Sequence, residues 1–144
     1  MSDPHSLPSA KEQARTFSRV RDAHTRELTE DYVELIADLI DGRGEARAAD
    51  LAERFGVTAA TVNNTIKRLE RDGFVTSPPY RSIFLTPAGR ELAEKCRERH
   101  QLVRDFLIAL GVDRRIADRD AEGIEHHVSA ETLEAFRRFV EERG

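Results

Sequence analysis

The stretch Ala48-Ala-Asp-Leu-Ala-Glu-Arg-Phe-Gly-Val-Thr-Ala-Ala-Thr-Val62 has the spacing of a helix-turn-helix. Ala49 and Ala52 are small enough to let two helices approach closely, and Gly56 permits a sharp turn between them. Val62 is spaced to fill the angle between the two helices. The stretch therefore predicts two short helices that cross near a tight turn.

The flanking segments extend this motif on both sides. Apolar periodicity predicts a first helix from about Phe17 to Asp41 and a second from Ala46 to Phe55. Thr58 is a suitable N-cap for a third helix, which Gly73 would end. Residues 74–86 alternate apolar runs with a proline turn, which predicts a β-hairpin. This order of elements is typical of a winged helix-turn-helix.

The second half of the chain is predicted to be helical. Thr86 followed by Pro87 is a strong start signal for a long fourth helix, which would end at Gly111. A shorter helix is expected from Asp113, and Ser129 is placed to cap a last one. The fold class is therefore mainly α, with a winged helix-turn-helix followed by a helical domain.

Composition excludes several classes of protein. Trp is absent and 35% of the residues are charged, which suits exposed helices better than a large aromatic core. No apolar run approaches the ~20 residues of a membrane span, and the N-terminus lacks an apolar signal-peptide segment, so we expect a cytoplasmic protein. Cys96 is the single cysteine, which excludes an intrachain disulfide and predicts a buried thiol.

Charge is distributed unevenly along the chain. The formal net charge is −4, which argues against a nucleic-acid partner for the chain as a whole. Residues 42–90, however, carry 8 basic and 5 acidic side chains, whereas residues 1–41 and 91–144 are both net negative. The positive segment coincides with the helix-turn-helix, so local charge favours a DNA-binding surface there.

The outer face of the third helix is the predicted DNA-reading surface. Asn64 can bond adenine in a bidentate manner, Lys67 can reach guanine or phosphate, and Arg81 in the hairpin can meet phosphate or the minor groove. The alternative is the solvated face of an ordinary helical bundle. The predicted DNA-binding residues are Thr58, Ala60, Thr61, Asn63, Asn64, Lys67, Arg71 and Arg81.

The run Glu122-Gly-Ile-Glu-His-His127 carries a different chemistry. Glu122, Glu125 and His126 have i, i+3, i+4 spacing, so on a helix their side chains share one face. Two carboxylates and an imidazole directed at one point make a good divalent-metal site. His127 would point away from that face, which favours a structural role.

Periodicity alone leaves the other ligands of this site open. His100 lies at the edge of an apolar stripe, where a histidine is more often a core residue than a ligand. Asp31 and Glu34 share a face of the first helix with Asp38 and Asp41, and a solvated acidic face would explain all four.

The chain resembles the manganese-responsive branch of the diphtheria-toxin-repressor family over about residues 25–140. The resemblance rests on the order of four segments: Asp31-Tyr-Val-Glu34, the winged helix, Arg99-His100 and Glu122–His127. The resemblance implies two Mn²⁺ ions per subunit. Iron-responsive relatives use a sulfur-containing ligand set where this chain has Asp31 and Glu122, although the ligand chemistry also suits Fe²⁺. The implied metal ligands are Asp31, Glu34, His100, Glu122, Glu125 and His126.

The resemblance implies a homodimeric, manganese-responsive repressor of manganese-uptake genes that binds operator DNA. We expect a flexible tail at residues 1–18, a DNA-binding domain at 19–86, and a helical dimerisation and metal-binding domain at 87–144. An iron-responsive repressor, a metal-independent winged-helix regulator and a small two-metal enzyme are the alternatives. The enzyme is disfavoured because the chain has no His-Glu-x-x-His or Glu-x-x-His motif.

Overall fold

The computed structural model describes residues 6–143, which form six helices and a two-stranded sheet. No helix among these residues is both long enough and apolar enough to cross a membrane. The predicted order of a winged helix-turn-helix followed by a helical domain is confirmed. The elements are α1 (Ala10–Arg43), α2 (Ala48–Phe55), α3 (Ala59–Arg71), β1 (Val75–Thr76), β2 (Phe84–Leu85), α4 (Pro87–Ala109), α5 (Arg114–Ile124) and α6 (Ala130–Arg143).

Helix α1 is longer than predicted. The Ser9 hydroxyl accepts a hydrogen bond from the backbone N–H of Glu12 and caps the helix, so the predicted start near Phe17 is wrong. Residues 10–16 lack apolar periodicity but are mostly good helix formers, and no proline follows Pro8 within the helix. Residues 10–18 of the predicted tail are therefore helical, and residues 1–5 lie outside the described part of the chain.

The helix-turn-helix has the predicted turn. Gly56 adopts a positive φ of 68° at the end of α2, and the Thr58 hydroxyl accepts from the N–H of Thr61 at the start of α3. Helix α2 begins at Ala48 rather than Ala46, because the carbonyl of Ala46 accepts a hydrogen bond from the N–H of Ile83 in the wing. The core of this half comprises Tyr32, Ile36, Leu39, Ala46, Leu51, Val62, Ile66, Leu69, Val75 and Ile83.

The predicted hairpin is present, although its paired strands are only two residues each. They are antiparallel, with Val75 opposite Leu85. Helix α4 packs so closely against this hairpin that a Cβ atom at Gly89 would lie 2.1 Å from the carbonyl oxygen of Phe74. A glycine is therefore required where α4 leaves the wing.

The helical second half packs around α4. The ring of Phe106 stacks on that of Phe136 with centroids 3.9 Å apart, and α6 contributes no fully buried side chain. Cys96 is fully buried, as predicted, and donates to a carboxylate oxygen of Glu30. Helix α5 ends at Ile124, so it includes Glu122 but stops before Glu125 and His126.

Candidate metal centre and nucleic-acid interface

The turn that follows α5 keeps Glu125 and His126 on the same side as Glu122, as the spacing of these three residues predicts. Glu125 keeps helical dihedral angles (φ −56°, ψ −28°), and its N–H still donates to the carbonyl of Ala121 at 3.0 Å. The helical conformation and hydrogen bonding therefore continue to Glu125, one residue beyond the end of α5. As a result Glu125 and His126 are buried although they follow the last helical residue.

Two donor groups meet at Glu125. Nε2 of His126 lies 3.0 Å from Oδ1 of Asp31 and 3.3 Å from Oε1 of Glu125, and the donor atoms of Glu34, Glu125 and His126 lie within 4.8 Å of one another. On the other side, Nδ1 of His100 lies 3.5 Å from Oε1 of Glu122 and 3.9 Å from Oε2 of Glu125. All six predicted ligands thus lie around one buried carboxylate.

Several buried atoms of this cluster have no hydrogen-bond partner in the protein. They include both carboxylate oxygens of Glu125, Nδ1 of His100 and both ring nitrogens of His126. Leaving a buried polar atom unsatisfied costs about 1–3 kcal/mol. The unused lone pairs of this donor set therefore fit a divalent metal ion.

Burial and mutual repulsion raise the pKa values of two carboxyl groups in the cluster. Burial, together with the neighbouring charges of Glu122 and Asp38, raises the pKa of Glu34 to about 7. Burial, together with the charge of Glu34, likewise raises the pKa of Glu125 to about 8. A cation placed between these groups would remove the repulsion that keeps their protons bound.

The pKa of the His126 imidazole is raised as well. Burial lowers its pKa, but the adjacent carboxylates of Asp31 and Glu125 outweigh that effect, and the net shift is upward. A metal ion binds neutral imidazole, so it competes with a proton at His126 as well as at the carboxylates.

Ion pairs decide which acids of α1 belong to the cluster. Asp38 and Asp41 both contact the guanidinium of Arg97, at 2.8 and 3.0 Å, and Asp41 also contacts Arg90. These two carboxylates are satisfied on the protein surface. Asp31 and Glu34 instead face His126 and Glu125, which distinguishes them in a way that periodicity does not.

Three further residues support the cluster although the sequence analysis gave them no role, namely Asp118, Glu30 and Arg99. Nε2 of His100 lies 3.0 Å from Oδ1 of Asp118, which can hold the ring so that Nδ1 faces Glu122 and Glu125. Buried Glu30 forms an ion pair with Arg99 and lies 3.6 Å from Nδ1 of His126. Asp118 lies four residues before Glu122, and that spacing on a helix was the available signal.

Cys96 is close to the cluster but unsuited to it. Burial, together with the charges of Glu34 and Glu125, raises the pKa of its thiol to about 12. Only a thiolate is a good metal ligand, so this side chain stays a protonated hydrogen-bond donor to Glu30.

His127, which was predicted to be structural, contacts a residue outside the six predicted ligands. Its Nε2 lies 2.8 Å from Oε2 of Glu27 on α1. His24, one turn earlier on α1, packs edge-to-face against the His127 ring with centroids 5.3 Å apart.

The predicted DNA-reading residues form an exposed surface. Val62, Ile66 and Leu69 of α3 are buried, which leaves the opposite side of the helix facing solvent. Tyr80 in the wing is also fully exposed and adopts a positive φ of 60° next to Arg81. The exposed predicted residues are Thr58, Ala60, Thr61, Asn63, Asn64, Lys67, Arg71 and Arg81.

Two protein-family models match most of the chain. Residues 24–83 match the N-terminal DNA-binding domain of iron-dependent repressors, and residues 86–143 match their metal-binding and dimerisation domain. This is a family of DNA-binding regulators rather than of enzymes, so the enzyme alternative is not supported. A divalent metal, operator DNA and a second subunit are the partners that such domains take.

Individual relatives are similar over almost the whole chain. The transcriptional regulator MntR of Salmonella typhimurium is 54% identical over 96% of this chain and 88% of its own length. MntR of Escherichia coli O6:H1 is 53% identical over 96% of this chain and 89% of its own length.

The fold is also similar to solved repressor structures. A manganese-dependent transcriptional repressor in complex with manganese superimposes with a TM-score of 0.70 at 29% identity. The similarity covers 78% of this chain, which spans about half the length of that structure (52%). The chain therefore belongs to the iron-dependent repressor family, that is, to the diphtheria-toxin-repressor family of metal-dependent DNA-binding regulators.

Proposed function

We propose that this protein is a manganese-responsive transcriptional regulator that represses manganese-uptake genes when Mn²⁺ is bound. It acts as a homodimer on operator DNA. Residues 19–86 form its DNA-binding domain and residues 87–144 its dimerisation and metal-binding domain. The observation that carries the proposal is the set of buried carboxylate and imidazole atoms around Glu125 that no protein group satisfies.

The donor set suits two divalent ions per subunit. The four carboxylates of Asp31, Glu34, Glu122 and Glu125 would supply four negative charges when ionised, which two divalent cations balance. The donors fall into two groups, around His126 and around His100, that share Glu125. Asp31 and Glu34 with Glu125 and His126 would hold one ion, and His100 with Glu122 and Glu125 the other.

Ligand type favours Mn²⁺ or Fe²⁺ over Zn²⁺ and Cu, and the relatives favour Mn²⁺ of the two. Carboxylate oxygens and imidazoles suit Mn²⁺ and Fe²⁺, and the protonated thiol of Cys96 offers no soft ligand for Zn²⁺ or Cu. Relatives that are 53–54% identical carry the name MntR, which favours Mn²⁺ as the physiological ion. Fe²⁺ is the competitor that an experiment must include.

The arrangement suggests how metal and DNA binding are coupled. Asp31 and Glu34 lie on α1, which packs into the core of the winged helix, whereas His100, Glu125 and His126 belong to the helical second half. Ligands from both halves that hold the same ions would restrict the position of α1 relative to α4. This would favour the spacing of two recognition helices that fits successive major grooves.

Homodimer formation would use apolar surface that the single subunit leaves exposed. The stacking of Phe136 on Phe106 uses part of the apolar side of α4 and α6 within one subunit. Ile108, Leu110 and Ile116 near the end of α4 and the start of α5 remain exposed. A two-fold interface across these helices would cover them.

Fluorescence anisotropy on a palindromic operator from a manganese-transporter promoter tests this function. The protein is titrated anaerobically in chelator, Mn²⁺, Fe²⁺ and Zn²⁺, with a scrambled operator as the control. We expect tight, sequence-dependent binding in Mn²⁺ and weak binding in chelator. Equal affinity in chelator and Mn²⁺ would refute metal control, and equal activation by Fe²⁺ would refute selectivity for manganese.

A further inference from the structure

A second cluster of metal-binding side chains lies outside the six ligands of the proposed pair. His24 and Glu27 are one turn apart on α1, and His127 follows the turn after α5. One donor atom from each of the three lies within 4.8 Å of the others. None of the three is among the six proposed Mn²⁺ ligands, although Glu27 also has a donor atom within 4.8 Å of donors from Asp31 and His126.

The geometry is already close to that of a bound cation. Oε2 of Glu27 is hydrogen-bonded to Nε2 of His127 at 2.8 Å and lies 3.7 Å from Nδ1 of His24, so a cation would take the place of this hydrogen bond. Donors held about 2.1 Å from a tetrahedral ion are roughly 3.4 Å apart. The side chain of His24 is 65% exposed, so a small rotation of its ring could bring the third donor into place.

The backbone on both sides is held in position. His24 and Glu27 lie well inside α1, and the N–H of His127 donates to the carbonyl of Ile124 at 3.0 Å. Little conformational entropy would therefore be lost on ion binding, apart from that of the side chains. The site is partly open to solvent, which leaves room for water as further ligands.

The donor set differs from that of the proposed manganese pair. Two imidazole nitrogens and one carboxylate oxygen form a nitrogen-rich set, whereas the pair has four carboxylates for two imidazoles. Imidazole-rich sites prefer Zn²⁺ over Mn²⁺, in line with the general order of divalent-ion affinities. We propose that His24, Glu27 and His127 form a separate divalent-cation site of the Zn²⁺ class, which joins the N-terminal half of α1 to the turn after α5.

Zn²⁺ titration of the full-length, metal-free protein against a chromophoric chelator tests the site. Wild type is compared with His24→Ala and His127→Ala, and Asp22→Asn is the control for removal of an exposed charge elsewhere on α1. We expect each histidine variant to bind one equivalent of Zn²⁺ fewer than wild type, and the control to bind the same number. Wild-type stoichiometry in either histidine variant would overturn the proposal.

A second variant distinguishes Zn²⁺ binding at this site from binding at the proposed Mn²⁺ pair. In Glu122→Ala protein, the further change His24→Ala should still remove one equivalent of Zn²⁺, because Glu122 contributes no donor to the cluster. No loss in this background would also overturn the proposal. If DNA binding by the wild-type protein did not depend on Mn²⁺, the proposed function would be refuted. The difference in bound Zn²⁺ between wild type and the histidine variants would still test this site.

Discussion

Nε2 of His126 lies 3.0 Å from Oδ1 of Asp31, although Asp31 is on the first helix and His126 follows the fifth. Both ring nitrogens of His126 are buried without a properly aligned hydrogen-bond partner in the protein. This close approach joins the helix that leads into the winged helix-turn-helix to the helical second half. A ligand of these two residues would therefore act on the relative position of the two halves.

Replacement of Glu122 by Ala should abolish the metal response of DNA binding. The side chain of Glu122 is 59% exposed, so its loss should leave the metal-free fold intact while it removes a donor beside His100. Anisotropy titrations with Mn²⁺ and with chelator should give the same low affinity. The matched control is Glu134→Ala, whose side chain is 58% exposed on α6, and it should respond to Mn²⁺ like wild type. A normal Mn²⁺ response in Glu122→Ala would rule out this donor.

Metal affinity should rise with pH. The pKa of Glu34 is raised to about 7 and that of Glu125 to about 8, so both carboxyl groups hold protons near neutrality that the metal must displace. The upward shift at His126 acts in the same direction. Binding of Mn²⁺ should release protons, and calorimetry in buffers of different ionisation enthalpy would count them. An apparent affinity that is unchanged between about pH 6 and about pH 8 would contradict these assignments.

The same shifts predict an opposite trend in the stability of the metal-free protein. A carboxyl group whose pKa is raised on folding stabilises the fold most below its unfolded value of 4.5 and loses that contribution as pH rises through its folded value. The Tm of chelator-treated protein should therefore fall from about pH 5 to about pH 8, while the increase in Tm caused by Mn²⁺ should grow. Parallel Tm curves with and without Mn²⁺ would contradict the linkage.

Much of the fold follows from local signals in the sequence. Gly56, Thr58 and the Thr86-Pro87 pair fix the ends of helices through backbone conformation and capping, which depend on a few adjacent residues. The start of α1 was misplaced because residues 10–16 show no apolar periodicity. The start of α2 was misplaced because Ala46 pairs with the distant Ile83, and a local pattern contains no such information.

The candidate site was predictable only in part, for the same reason. The spacing of Glu122, Glu125 and His126 indicated one ligand face, but the spacing of acids on α1 could not separate Asp31 from Asp38. That distinction depends on Arg97, which lies on another helix and binds Asp38. The resemblance to a known family supplied what the pattern lacked.

Replacement of Gly89 by Ala should destabilise the joint between the wing and α4. A Cβ atom there would lie 2.1 Å from the carbonyl oxygen of Phe74, which also accepts the N–H of Thr86. Overpacking of this kind costs about 1–3 kcal/mol. Urea denaturation should show this loss in the free energy of unfolding. The control is Ala88→Gly at the exposed neighbouring position, which should cost only the roughly 1 kcal/mol of a glycine in a helix. Wild-type stability in Gly89→Ala would show that the backbone of Phe74 moves freely.

Two exposed residues of α3 should affect DNA binding differently. Asn64→Ala should reduce discrimination at one base pair by about 1–3 kcal/mol, because an amide reads the edge of adenine. Lys67→Ala should weaken binding to all sequences and lower the salt dependence by about one counterion if Lys67 contacts phosphate. Affinities on matched and single-substituted operators at several salt concentrations would separate the two effects. Equal losses on every operator for Asn64→Ala would exclude it as a base reader.

Asp118 should act on the metal through His100. Its Oδ1 lies 3.0 Å from Nε2 of His100, so it can fix the orientation of the ring, whose Nδ1 faces Glu122 and Glu125. Asp118→Ala should weaken Mn²⁺ binding about 10–100-fold, whereas Asp118→Asn, which can still accept a hydrogen bond, should recover part of that loss. Asp120→Ala is the control. Asp120 lies on the same helix, is about as exposed as Asp118, and within the described residues forms an ion pair only with Arg119. Equal Mn²⁺ affinity in Asp118→Ala and Asp120→Ala would mean that His100 needs no such partner.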